Sequence, residues 1–405
     1  MNIRTLLCIF VCSTILAFSA LSQPPKALPH IKVSEREMEY AWINSLPDSK
    51  AIDSLTKLYN DTNQYKRSFV IGLLRRFDRK NADPLLKKAL NDTSSEVRSS
   101  AIRVLDEWHD TSDVSLLLNA LNDKESKVWC LAANELRRFA DPRAVTPLLE
   151  LLDKKEPSEY SPIIYDLLPY NDNRIVPKLI EKLRDNNSGV RLNTIITLGL
   201  KRDTIAVPAL IESLHDTIKE LVLEAIHALS EMNDSRAIQP LVDLLFLPDI
   251  SIRYITIDVI MDLPDDDRLQ RFLELSKKSG YAHDGALQGI AECGGKEADS
   301  IFSRAMKKKN FPEIAAGYRY FIRKGDTSAI SMLTDVLLKH GNIIMANEYA
   351  RSGCKQLKST ADKWSKLMGF ELKRQDLLEE GPVIWGHPRN SEPKSTFYTH
   401  RYLYF

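Results

Sequence analysis

Three His-Asp pairs are the first candidates for chemistry: His109-Asp110, His215-Asp216 and His283-Asp284. An imidazole beside a carboxylate is a unit from which metal sites and general bases are built. A metal centre needs several such groups to converge on one point. These pairs stand at unlike places in the chain's pattern. His109 follows a helical stretch, His215 lies in a turn, and His283 begins a helical stretch. Capping and surface roles are therefore expected of them. No Gly-rich phosphate loop, nucleophile elbow or paired-Cys ligand motif accompanies them. Gly294-Gly295 reads as a helix end. Among 55 acidic residues nothing in the sequence marks a pair as buried or opposed. No catalytic residue, metal ligand or cofactor is assigned, and the chain is expected not to be an enzyme.

Charge and cysteine content narrow the classes further. Lys and Arg number 56 against 55 Asp and Glu, and Arg4 is the only charged side chain before Gln23. A nucleic-acid binder carries a clear basic excess, so no nucleic-acid partner is expected. One local exception is residues 296–324, with eight Lys and Arg against three acids, including Lys307-Lys308-Lys309. That patch reads as a solvated helix face or as a site for an anionic partner. Cys130, Cys293 and Cys354 are far apart and odd in number, so buried, small apolar roles are expected rather than disulfides.

The elements that must carry any site emerge on comparing the chain with itself. Val97–Leu105 shifted by 31 residues meets Val128–Leu136. Further shifts reach Ile163-Ile164 with Leu167, Thr194-Ile195 with Leu198, Ala225-Ile226 with Leu229, Thr256-Ile257 with Ile260, and Ala286-Leu287 with Ile290. A second track is proline: Pro147, Pro177, Pro208 and Pro240, with Pro84 two periods earlier, each opening a helical run where a missing N–H is tolerated. A third is aspartate between the two helices of a unit: Asp92, Asp123, Asp153, Asp185 and Asp216. Each Asp is expected to accept N–H groups that start the second helix, and Thr93 with Glu96 forms a candidate capping box. Every unit thus predicts two amphipathic helices joined by a polar turn. One hairpin cannot bury its apolar face alone, but stacked copies share a continuous core.

These motifs resemble HEAT repeats, in particular the short HEAT-like repeats of the phycobilisome-lyase type. Asp141-Pro142-Arg143-Ala144-Val145-Thr146-Pro147 looks like the family's first-helix opening, repeated at Asn171–Pro177 and Asn233–Pro240. Val97-Arg98, Val190-Arg191 and Ile252-Arg253 match its second-helix opening. The resemblance implies an all-α fold, an α-solenoid: a right-handed superhelix of stacked antiparallel helix pairs, about 9–10 repeats. It implies binding and scaffolding rather than one substrate. Deoxyhypusine hydroxylases of this class hold iron with His-Glu pairs, and no His-Glu pair occurs here. Second helices in such solenoids line the concave face. Aligning them yields a register of Arg98, Trp129, Tyr160, Arg191, Val222, Arg253 and His283, expected to pack between repeats. Five residues on lie Arg103, Asn134, Tyr165, Ile196, His227, Asp258 and Gln288. Packing positions stay apolar from unit to unit and this column does not. Arg103, Asn134, Tyr165, His227 and Asp258 are therefore the candidate groove residues for a protein or extended peptide.

The ends differ from the middle. Residues 1–22 read as a signal peptide: Arg4, an apolar run from Leu6 to Phe18, and Ala20-Leu21-Ser22 before the cut. Export to a periplasm or the exterior is expected, and no membrane-spanning segment is expected beyond it. Residues 23–46 read as an N-terminal cap, 47–325 as HEAT-like repeats, and 326–380 as a C-terminal helical cap or divergent repeat. Helices are expected over Ile330–His340, Ile343–Leu357 and Ala361–Leu378. Residues 381–405 form a non-helical aromatic tail that either docks on the solenoid or binds a partner. The leading function is an exported interaction scaffold. The alternatives are a lyase-like or metal-dependent role in the groove, or a structural envelope protein.

Overall fold

The computed structural model describes residues 43, 46–154, 156, 161–307, 310–372 and 383–387. The expected signal peptide, most of the 23–46 cap and most of the 381–405 tail lie outside the described residues. Among the described residues the regular structure is helical, and the helices form nine successive pairs and a last group of three, in two compact units divided after Lys201. No helix there is long and apolar enough to cross a membrane. The fold is an α-solenoid of HEAT-like pairs.

The first unit holds α1 (Asp48–Leu58) with α2 (Gln64–Gly72), α3 (Arg79–Ala89) with α4 (Ser95–Trp108), and α5 (Val114–Ala120) with α6 (Ser126–Phe139). It continues with α7 (Val145–Lys154) and α8 (Ile163–Asp166), then α9 (Ile175–Lys182) with α10 (Ser188–Lys201). Its second helices stack in order, α2 on α4, α4 on α6, α6 on α8 and α8 on α10. The second unit holds α11 (Val207–Ser213) with α12 (Lys219–Met232), α13 (Ile238–Leu244) with α14 (Ile250–Asp262), and α15 (Arg268–Leu275) with α16 (Tyr281–Cys293). Then come α17 (Gly295–Ala305) with α18 (Phe311–Lys324), and α19 (Ile330–His340) with α20 (Ile343–Arg351) and α21 (Lys355–Met368). Here α12, α14, α16 and α18 stack in order.

The apolar track is the core in both units. Ala101, Ile102 and Leu105 are fully buried, as are Ala132, Ala133 and Leu136, and Ile163, Ile164 and Leu167. Ala225, Ile226 and Leu229 repeat the pattern in the second unit. Burying that stripe on the neighbouring pair is the main source of stability, at about 1.5–3 kcal/mol per large apolar side chain.

The aspartates set the turns. Asp61, Asp92, Asp123, Asp185 and Asp216 each accept the N–H two residues on, at 2.8–3.0 Å. Asp153 departs from the expected role: it lies inside α7, exposed, and pairs with Lys178 at 2.7 Å. The box expected at Thr93 is displaced by one residue, because Ser94 is the residue whose hydroxyl accepts Glu96 N–H.

A further aspartate series opens the units. Asp110, Asp141, Asp172, Asp203, Asp234 and Asp265 fall 31 residues apart, and each accepts the N–H two residues on. Before four of them stands a left-handed residue: His109, Ala140, Arg202 and Asn233, with φ of 46–54°. This geometry accounts for His109-Asp110 as a helix end followed by a cap.

Three expectations change. Pro84 is sixth in α3 rather than in a first turn. Gly353, with φ +83°, ends the helix expected over Ile343–Leu357 near Ser352, and a new one starts at Lys355. That helix stops at Met368, where Gly369 adopts φ +71°, so residues 370–372 are not helical.

Candidate functional site

In every second helix from α4 to α16 the residues on either side of the variable column are buried, while the column residue is not. Neighbours at ±100° around the helix that both face the core place the residue between them at the centre of the open face. In the first unit Arg103 and Asn134 are exposed, and Tyr165 and Ile196 are half-buried. In the second unit His227, Asp258 and Gln288 are half-buried, and both His227 and Asp258 have interaction partners. One turn further along α4, α6, α10 and α12, the row of Glu107, Arg138, Leu200 and Glu231 is also exposed. Ion pairs run beside it: Arg75 with Glu107 at 3.0 Å, Arg138 with Asp106, and Arg202 with Glu231. The open face is thus a polar, mixed-charge surface with interspersed apolar groups.

The register five residues earlier does structural work. Arg98, Trp129 and Val222 are buried, and Arg191, Arg253 and His283 are half-buried; Tyr160 lies outside the described residues. Arg98 donates to both carboxylate oxygens of Asp123 and to the carbonyls of Asp92 and Thr93. Arg253 lies over the Tyr281 ring at 4.8 Å.

One constellation was not visible in the sequence. One residue after the column, Val104, Ala228 and Val259 are buried and apolar, but Glu135, Asp166 and Thr197 are buried and polar. Glu135 and Asp166 are only 5% and 4% exposed. The break behind them is α8, reduced to one turn between Pro162 and Pro169. Lys201 Nζ donates to the carbonyls of Leu167, Leu168 and Tyr170 just beyond this short helix, the first of which also accepts the Tyr170 N–H at 3.4 Å. Burial pushes the Glu135 carboxyl up to about 7, and the neighbouring Asp166 carboxylate adds to the shift. Burial likewise pushes Asp166 up to about 7, against the pull of the Arg137 guanidinium and a hydrogen bond from Asn134. Arg137 Nε stands 3.6 Å from Asp166 and its guanidinium covers the Tyr165 ring at 5.1 Å. Arg138 Nη1 is 3.7 Å from Glu135 Oε2. The candidate residue Asn134 therefore hydrogen-bonds one of these acids, and Tyr165 lies under the guanidinium that faces the same acid.

Neither acid lines the cleft of about 580 Å³ between the second and third pairs, which is walled by Lys87, Asn91, Arg98, Asn119, Asn122 and Asp123. The remaining sequence candidates are dispersed. His215 is exposed in its turn, and His283 Nδ1 lies 2.7 Å from the Ser276 carbonyl. Among the described residues no group of three His, Cys, Asp or Glu is placed to hold a metal. Cys130 and Cys293 are half-buried and Cys354 is buried, all as free thiols. In the basic patch, Arg319 pairs with Glu348 at 2.6 Å and Lys324 with Asp299 at 2.6 Å, while Lys296, Arg304 and Lys307 are exposed.

The family model for HEAT repeats matches residues 52–126, 82–161 and 176–260. No curated protein matches the chain. Among solved structures, an engineered protein aligns at 18% identity over 78% of this chain and 98% of its own, with a TM-score of 0.38. The complex of CpcE and CpcF of phycocyanin lyase from Nostoc sp. PCC7120 aligns at 15% identity over 67% of this chain and 98% of that one, with a TM-score of 0.33. Kap95p, from a complex with RanGDP, aligns at 10% identity over 90% of this chain and 60% of that one, with a TM-score of 0.48.

Proposed function

We propose that this chain, a HEAT-repeat protein, is an exported, non-enzymatic scaffold that binds a protein or an extended peptide along the open face of its second helices. The observation that carries the reading is the column Arg103, Asn134, Tyr165, His227 and Asp258. It lies outside the core in every unit while its neighbours in sequence are buried. Its side chains differ from unit to unit, which suits recognition of an irregular partner by complementarity over several repeats. Arg137 stacked on Tyr165 offers a flat, amphipathic contact of the sort that anchors interfaces. Export rests on the signal-peptide pattern of residues 1–22, and the exposed Lys296, Arg304 and Lys307 suit an anionic region of the partner. Joint substitution of Arg103, Tyr165 and His227 by alanine tests the face. Partner binding should weaken while the fold loses no more than about 1–2 kcal/mol; undiminished binding by the folded variant removes this surface.

A small-ligand role in the first unit is the second reading, favoured by the buried Glu135 and Asp166. Acids with raised pKa values cluster at functional sites, although structural networks shift them as well. Direct titration of the purified chain with cationic metabolites separates the two readings.

A further inference from the structure

The C-terminal end of the second unit carries a peptide that is not part of any helix pair. Residues Val383–His387 cross between the ends of α18 and α20. Trp385 N–H donates to the Ser352 carbonyl at 2.7 Å, and Gly386 N–H to the Ile322 carbonyl at 3.0 Å. Ser352 caps the C-terminus of α20, and the Ile322 carbonyl, in the last turn of α18, accepts the Gly325 N–H at 3.1 Å as well. Val383 is 3% exposed, and Ile384 and Trp385 are half-buried. Two glycines make the approach possible. A Cβ on Gly325 would stand 2.6 Å from Gly386 Cα and 3.6 Å from Trp385 Nε1, and both glycines have positive φ, +69° and +72°.

The contact is specific but small. Two backbone hydrogen bonds and one fully buried side chain must offset the ordering of five residues, a near balance.

We propose that the notch formed by Ile322 O, Ser352 O and Gly325 is a docking site for a short turn-forming segment reading aliphatic–aliphatic–aromatic–glycine, closed in the docked chain by His387 N–H on the Ile384 carbonyl at 3.3 Å. Its resident occupant is the chain's own Val383–His387, which exchanges with the same sequence supplied in trans. The recognition is backbone pairing plus an apolar pocket, with glycine required where the two main chains meet. The notch is a second binding site, independent of the open face.

The test uses the full chain. Gly325→Ala should raise the exchange rate of the Trp385 and Gly386 amides at least tenfold. Gly369→Ala is the control: it places alanine at a helix end with the same left-handed φ of +71° but with nothing within 4 Å of its Cβ. It should leave those two amides unchanged. A fluorescent peptide with the sequence of residues 382–388 should bind a Gly386→Val chain, whose own strap is displaced, at least tenfold more tightly than the unaltered chain. Unchanged amide protection in Gly325→Ala, no peptide binding to Gly386→Val, or equal affinity for both chains would each overturn the proposal.

Discussion

Arg98 reaches from the second helix pair to the third and grips both oxygens of Asp123, at 2.6 and 2.7 Å. Arg67 does the same to Asp92 one unit earlier, at 2.9 and 2.7 Å. The acceptor in each case is also the residue that shapes its own turn. One carboxylate therefore sets the hairpin of its unit and holds the previous unit in register. Burial opposes the charged form of Asp92, but the Arg67 guanidinium, the Tyr59 hydroxyl and the Ser94 N–H outweigh it and hold the carboxyl down at about 2.

Replacing Asp123 by alanine strands a buried guanidinium and removes a turn acceptor. Breaking a buried pair from one side costs about 3–5 kcal/mol. Asp123→Asn keeps the turn acceptor and should lose less. Urea unfolding followed by circular dichroism at pH 7 should rank the unaltered chain, then asparagine, then alanine. The carboxyls of Asp92 and Asp123 lie below their unfolded values. Their contribution is thus present above pH about 4 and fades on acidification toward the folded pKa of about 2 for Asp92.

Glu135 has the opposite sign. Its folded pKa, about 7, lies above the ordinary glutamate value, so the folded state holds the proton more tightly. Unfolding releases that proton between the two pKa values, and stability falls as pH rises from about 4 to 7. Glu135→Gln removes the titration. The variant should match the unaltered chain at pH 4 and exceed it at pH 8 by about 1–2 kcal/mol, read as a rise in Tm. An equal change at both pH values would show that this carboxyl does not titrate with folding.

Lys201 substitutes for a missing helix end. Its ammonium serves three carbonyls of the Leu167–Tyr170 segment, the nearest at 2.8 Å. Lys201→Met keeps the packed stem and removes the donors, at an expected cost of about 1–3 kcal/mol. Amide exchange should quicken over residues 161–170 and stay unchanged in α1 to α4. Uniform acceleration would argue against a local clamp.

The solenoid was legible because three tracks of unlike chemistry share one period. Apolar triplets such as Ala225, Ile226 and Leu229 are core, and four of the five expected turn aspartates bond as their type predicts, Asp153 being the exception. The opening series from Asp110 to Asp265 is equally regular, and the Asp-Pro-Arg-Ala motif and its echoes are fragments of it. The shortening of α8 is masked in the sequence because the apolar spacing runs on across Pro162 and Pro169, where proline geometry prevails. The acid pair was hidden for a different reason. Burial is a tertiary property, and among 55 acids only the contrast of Glu135 and Asp166 with Val104, Ala228 and Val259 in the same register marks them. The Val383–His387 contact depends on main-chain pairing, which no side-chain pattern encodes.

The open face is the central claim, and site-specific photocrosslinking tests it most directly. A photoreactive residue is placed singly at Arg103, Asn134, Tyr165, His227 and Asp258 in cells making the full chain, and as a control at the exposed first-helix residue Glu150. The account predicts adducts with one and the same protein from the column positions, and none from position 150. Adducts from position 150 equal to those from the column, or no adduct from any column position, would contradict it.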